Sequence, residues 1–178
     1  MNIDDLIAKW GTRRIEDEDK FRRCFPESDD LVATVLRGHL LVEEYIDRLN
    51  RHCFHFPEHY DSAQLRFKQK LQIAKAQILL PHKNPDEFYS VIELLNELRN
   101  NLAHNLESPK LENKITNFLV IAEGMYPEDS QINIEPDDKI VRKTGKAISF
   151  ILGQLHVLDN VVEFMEKSRT YGGKGLEK

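Results

Sequence analysis

What most constrains this chain is where its prolines and glycines fall. Seven prolines and eight glycines among 178 residues lie mostly between, not within, apolar segments of three- and four-residue periodicity. That pattern predicts helices throughout. From a cap at Ser28 or Asp29, the residues Leu31, Val35, Gly38, Val42, Tyr45 and Leu49 draw one apolar stripe along a helix ending near Cys53. Gly38 costs that helix about 1 kcal/mol relative to alanine. A small residue in mid-stripe therefore implies close approach by a neighbouring helix.

A second helix is predicted from about Asp61 to Leu80, stopped by Pro81. Asn84–Pro85 and Ser108–Pro109 each pair a cap with a proline in the first turn. They open helices reaching about Asn105 and Met125. Tyr126 to Glu135 reads as a loop, and a long final helix runs from about Asp137 to Ser168. The expected architecture is all-α, an antiparallel up-and-down bundle over 28–168. Residues 1–27 form an N-terminal helical extension, with segments at Ile3–Trp10 and Ile15–Phe25, and residues 169–178 form a flexible tail.

Forty per cent hydrophobic residues supply a core, and two cysteines, Cys24 and Cys53, are too few for a disulfide scaffold or a closed structural zinc site. The acidic start MNIDDLIAKW lacks the basic and apolar regions of a secretory signal. No apolar run approaches the ~18 residues of a membrane span. The expectation is a cytoplasmic protein without membrane contact.

The most informative stretch is Glu97-Leu98-Arg99-Asn100-Asn101-Leu102-Ala103-His104-Asn105, where polar groups gather as a helix finishes. Asn100 and His104, four apart, share a face. Arg99 points roughly 140° away from His104 at 100° per residue. Spacing alone fits a polar helix end that solvates its last carbonyls.

This R-N-x-x-x-H segment resembles the Arg-(four to six residues)-His motif of HEPN domains, helical bundles of prokaryotic toxins, defence systems and RNA-processing enzymes. Leu36 to Asn50 is similar to the first long helix of a HEPN-like group that includes mannitol-repressor-like proteins. The resemblance spans roughly Asp30 to Ile121. It implies an endoribonuclease that needs no cofactor, with Arg99, Asn100 and His104 as the catalytic set and RNA as substrate. The residue types suit that chemistry: histidine exchanges protons near neutral pH, arginine can hold the extra charge of a phosphorane by forked hydrogen bonds, and Asn100 could orient His104 or hold a phosphate oxygen. It also implies a homodimer and an antitoxin or defence-system partner protein. Toxins paired with a nucleotidyltransferase follow the histidine with x-Tyr, whereas Asn105-Leu106 stands here. A stand-alone or differently partnered protein is therefore the expectation. The alternative from the same resemblance is a non-catalytic regulator binding protein or nucleic acid; a nucleotide-binding accessory subunit is a third.

Three other patterns carry expectations. Arg37 and Glu44 fall near the family's polar positions on the first long helix, either supporting Arg99 and His104 or making surface pairs such as Glu44 with Arg48. Lys139, Arg142, Lys143 and Lys146 recur at i, i+3, i+4, i+7, one basic face that could track RNA phosphates. Ser62 to Pro85 contains no acid but holds Arg66, Lys68, Lys70, Lys75 and Lys83. His55-Phe56-Pro57-Glu58-His59 formally spells an H-x-x-E-H metal motif. Pro57 permits a helix there only in its first turn, which leaves His55 at or outside the cap, so no metal site is expected.

Overall fold

The structure, a computed structural model, describes residues 19–20, 23–25, 29–77, 85–104, 111–126 and 138–172. Six helices make up the bundle: α1 (Leu31–Cys53), α2 (Pro57–Ser62), α3 (Phe67–Gln77), α4 (Pro85–His104), α5 (Leu111–Gly124) and α6 (Ile140–Gly172). There is no strand among the described residues, so the chain is all-α as its periodicity implies. The Ile3–Trp10 segment, most of Ile15–Phe25, the Ser28, Asn84 and Ser108 caps, the loop over 127–137 and the tail beyond Gly172 lie outside the described residues.

Asp30, one residue after the expected cap, starts α1. Its carboxylate accepts from the Val32 and Ala33 amides at 2.8 and 3.1 Å, satisfying two of the helix's orphan donors. Asp29 instead pairs with Lys139 at 3.2 Å. The single helix expected from Asp61 to Leu80 is two elements. Pro57 opens the short α2 at its first position, and Gln64 takes a positive φ of 48° before α3 begins at Phe67. A non-glycine residue in that region marks a turn, here the kink between the two helices. The last helix continues past Ser168 to Gly172, the first residue of a Gly-Gly pair and the first strong breaker that the sequence offers.

The core forms where the apolar faces of α1, α4 and α6 meet. Val35, Val42, Ile46 and Leu49 of α1, Val91, Ile92, Leu95 and Leu98 of α4, and Ile148, Ile151 and Leu155 of α6 are buried together, with Leu71 of α3 and Phe118 of α5 closing the sides. Helix α6 runs parallel to α1, its contacts advancing in step. Gly38 meets Ile148, Tyr45 meets His156, Arg48 meets Asp159, and His52 meets Glu166. A Cβ on Gly38 would lie 2.5 Å from Ile148 Cγ2 and 3.3 Å from a Phe25 ring carbon. The glycine is the contact point of the two longest helices. Antiparallel packing holds for α3 against α4, where Lys75 meets Asp86 and Gln72 meets Glu93, and α5 packs on α4, where Glu97 meets Lys114.

Residues Ile140–Glu166 of α6 have the length and mean hydropathy of a membrane span. In the bundle this helix supplies core residues along its inner side and carries the buried carboxylates of Asp159 and Glu163. Val157, Val161 and Met165 are exposed on its outer side.

Candidate active site at the end of helix α4

Helix α4 positions the Arg99–Asn100–His104 group because its apolar residues Leu95, Leu98 and Leu102 anchor the inner face. The polar residues between them are left on the flanks. Arg99 and Asn100 are partly buried, and His104 is exposed on the last residue of the helix. Arg99 Nη1 donates to Asn100 Oδ1 at 2.9 Å. The azimuth of Asn100 lies between those of Arg99 and His104, about 100° from the first and about 40° from the second. The hydrogen bond therefore draws the guanidinium round toward the histidine's face. Arg99 has no carboxylate partner among the described residues. A partly buried guanidinium that is hydrogen-bonded to a neutral amide and not neutralised is suited to hold an anion.

Beneath this group lies a histidine that the sequence reading passed over. His39 of α1 is 2% exposed. Its Nε2 donates to Asn96 Oδ1 at 3.1 Å, one turn before Asn100, and its ring centroid lies 4.4 Å from that of Phe67 at the start of α3. Burial lowers its pKa from the ordinary 6.5; Glu43 and the Asn96 bond oppose that, and the positive charge of Arg99 adds to it. His39 is thus neutral at pH 7 and adds no charge under Arg99. Its only signal in the sequence was a position one residue past Gly38, inside the α1 face that turns to α3 and α4.

Arg37 and Glu44 lie within about 20° of each other on α1, but Arg37 is about 160° from His39. They sit on the far side of α1 from His39. Glu44 pairs with Lys20 rather than Arg48, and Arg48 pairs with the fully buried Asp159. Arg37 is exposed.

The basic face of α6 is occupied by acids. Asp138, whose side chain is 4% exposed, pairs with Arg142 at 3.0 Å and with Lys146 at 2.6 Å. Lys139 reaches Asp29, and Lys143 also has a partner. The regular spacing is real, but the charge available to a ligand is much smaller than the sequence count.

The H-x-x-E-H stretch is divided by its proline. His55 precedes α2 while Glu58 and His59 lie inside it, and His59 packs against Phe56. No cluster of three or more His, Cys, Asp or Glu side chains among the described residues is arranged to hold a metal.

Two further polar networks brace α1. On one side Lys70 bridges Glu43 and Asp47 at 2.9 and 2.8 Å, and Tyr60 donates to Asp47 at 2.7 Å. Burial opposes the Lys70 charge, yet the bonds to Asp47 and Glu43 outweigh it and raise its pKa. On the other side His52 Nδ1 donates to Glu166 at 2.7 Å, and its Nε2 lies 3.5 Å from Asp159. Hydrogen bonding to Asp159, and then to Glu166, raises the His52 pKa against the effect of burial. The Lys70 network carries more acid than base, and in the His52 network the cations are already held by Asp159 and Glu166, so both are poor places for an anion.

No protein-family model, curated protein or solved structure matches this chain. The resemblance to HEPN domains rests on the sequence alone, on the Arg99–Asn100–His104 segment and on Leu36 to Asn50.

Proposed function

We propose that this protein is an endoribonuclease whose own side chains supply the chemistry, acting on RNA through the 2′-hydroxyl. The observation that carries the reading is Arg99, partly buried, bound to a neutral asparagine and without a carboxylate partner among the described residues, on the same helix as the exposed His104 five residues on. An arginine so placed holds the non-bridging oxygens of a phosphodiester and stabilises the charge that builds on them. His104 takes the proton of the 2′-hydroxyl as its oxygen attacks phosphorus. The bond from phosphorus to the 5′-oxygen breaks, and that oxygen takes up a proton from the imidazolium or from water. A 2′,3′-cyclic phosphate and a 5′-hydroxyl remain. A toxin, stress or phage-defence setting and a partner protein belong to this reading through the family resemblance.

The test is cleavage of a mixed single-stranded RNA pool by the wild-type chain in excess chelator. His104→Ala should reduce the rate by about 10²–10⁴ if the imidazole is the acid–base group. The helical circular dichroism should be unchanged, because an exposed residue at a helix end contributes little packing. Intact RNA across a range of pH would instead favour the non-catalytic regulator.

A further inference from the structure

We propose that Lys68, at the start of α3, completes the RNA site by contacting a phosphate next to the one held by Arg99. This inference rests on the endoribonuclease reading above and names the part of the surface that receives the substrate's backbone.

The argument begins with the register of α3 against α4. Lys75 meets Asp86 at 2.9 Å, the Tyr89 hydroxyl donates to the Ala74 carbonyl at 3.3 Å, and Gln72 donates to Glu93 at 3.2 Å. Each step toward the start of α3 is a step toward the end of α4. On α3, Lys68, Gln72 and Lys75 fall within about 60° of one another. On α4, Asp86, Glu93, Asn100 and His104 fall within about 40°. The rung after Gln72–Glu93 therefore sets Lys68 across from the turn of α4 that holds Glu97 and Asn100, with His104 one turn beyond. Glu97 stands at this rung and is engaged with Lys114 of α5 at 3.4 Å, and the neutral Asn100 lies on the same side of α4 less than one turn further on.

The start of α3 is also held in place. Phe67 is buried against the His39 ring, and His39 bonds Asn96 of α4. The contacts Phe67–His39–Asn96 tie the residue beside Lys68 to the turn that leads into Arg99.

Charge then narrows the choice to two residues, of which the register of α3 favours Lys68. Along the acid-free segment of the chain, Lys70 and Lys75 are neutralised by Glu43, Asp47 and Asp86. Lys68 and Arg66 are exposed and have no carboxylate partner among the described residues. Arg142 and Lys146 of α6, the regular basic stripe, are matched by a buried aspartate. The cations without a carboxylate partner in this part of the described surface are Lys68 and Arg66 at the start of α3 and Arg99 near the end of α4. Their partner is a polyanion, and the ribonuclease reading makes that polyanion a single RNA strand.

Binding of a fluorescein-labelled oligouridine, followed by anisotropy across a salt series, tests this without requiring cleavage. Lys68→Gln should weaken binding about three- to tenfold at low salt and reduce the slope of log K against log[salt] by about 0.7, the loss of one single-strand phosphate contact. Lys139→Gln serves as the competing arm on α6. An unchanged affinity and slope in Lys68→Gln, or the loss appearing in Lys139→Gln instead, overturns the proposal. So does a wild-type chain that fails to bind the oligouridine. If Lys68→Gln lowers affinity and slope while the wild-type chain leaves RNA intact, the RNA site stands and the ribonuclease reading falls.

Discussion

The Arg99 guanidinium and the Asn100 side-chain carbonyl, neighbours in sequence, are joined by a 2.9 Å hydrogen bond along the outside of α4. Adjacent helical residues normally diverge by about 100°, so this contact bends a long side chain across the helix surface. The amide orients the guanidinium without neutralising it, as a carboxylate would.

Replacing Asn100 separates orientation from charge. Asn100→Ala should leave Arg99 mobile and lower RNA cleavage by about tenfold. Asn100→Asp should place an anion where the amide oxygen sits and lower it by about 10²-fold, a loss comparable with removing a transition-state donor. Thermal midpoints should stay close to wild type in both, since the site is at a partly exposed helix end. Equal losses in the two variants would mean that Arg99 does not act through its free charge. The measurement is initial cleavage rate at saturating RNA.

At Gly38 the packing is tight enough to decide a sign. Alanine gains about 1 kcal/mol of helix propensity, but its Cβ would sit 2.5 Å from Ile148 Cγ2. That methyl is on a branched, stiff side chain. Overpacking of this kind costs about 1–3 kcal/mol, so Gly38→Ala should destabilise despite its propensity. In urea melts, Ile148→Ala should be less costly in the Gly38→Ala background than alone, the positive coupling expected of residues in direct contact.

Arg48 and Asp159 fasten α1 to α6 at a second point. Asp159 is fully buried, so Arg48→Met leaves its carboxylate with His52 alone to offset the charge and should cost about 3 kcal/mol. Arg48→Met combined with Asp159→Leu should recover much of that loss, because the double change removes both charges. The comparison of the two urea midpoints checks it.

Two histidines give stability opposite slopes with pH. Burial lowers the pKa of His39 below 6.5. The unfolded chain therefore binds more protons there, and stability is present above 6.5 and lost as pH falls toward the lowered value. Asp159 and Glu166 raise the pKa of His52 above 6.5. Its contribution is full below 6.5 and lost as pH rises through the raised value. The acidic decline should flatten in His39→Gln and the alkaline decline in His52→Gln, read from urea midpoints between about pH 5 and about pH 9. Flattening on the wrong side for either variant would reverse the assignment.

The helices were legible because their signals are local. Proline after a cap marked the start of α4, and Gly38 announced the approach of α6 before any partner was known. The split between α2 and α3 was not legible. It depends on a backbone turn at Gln64, a residue with no special preference for positive φ. Within the candidate site, Arg99, Asn100 and His104 could be picked from spacing, since all three belong to one helix. His39 could not, because its neighbours Asn96 and Phe67 come from two other helices and 57 residues separate it from the amide that it bonds. The ion pairs along the basic stripe of α6 were hidden for the same reason. Periodicity showed four cations on one face, while Asp138 and Asp29, which pair with three of them, matter only through three-dimensional position.

The Arg99–Asn100 contact also bears on assembly. From azimuth alone, Arg99 and His104 diverge by roughly 140°, which suggests a site completed by a second copy of the chain, each arginine meeting the other's histidine. The hydrogen bond moves the guanidinium toward the histidine's side and makes a site within one chain the simpler arrangement. Mixing Arg99→Ala and His104→Ala chains distinguishes the two. A site within one chain predicts no recovered cleavage in the mixture, because every chain lacks one essential group. A shared site predicts that each heterodimer regains one intact Arg99–His104 pair, so up to about half of its two sites should work, as two-fold pairing requires. Covalently linking the two variant chains in one polypeptide removes uncertainty about exchange. Cleavage by the linked protein, absent from either variant alone, would place the functional site across two copies and overturn the single-chain arrangement.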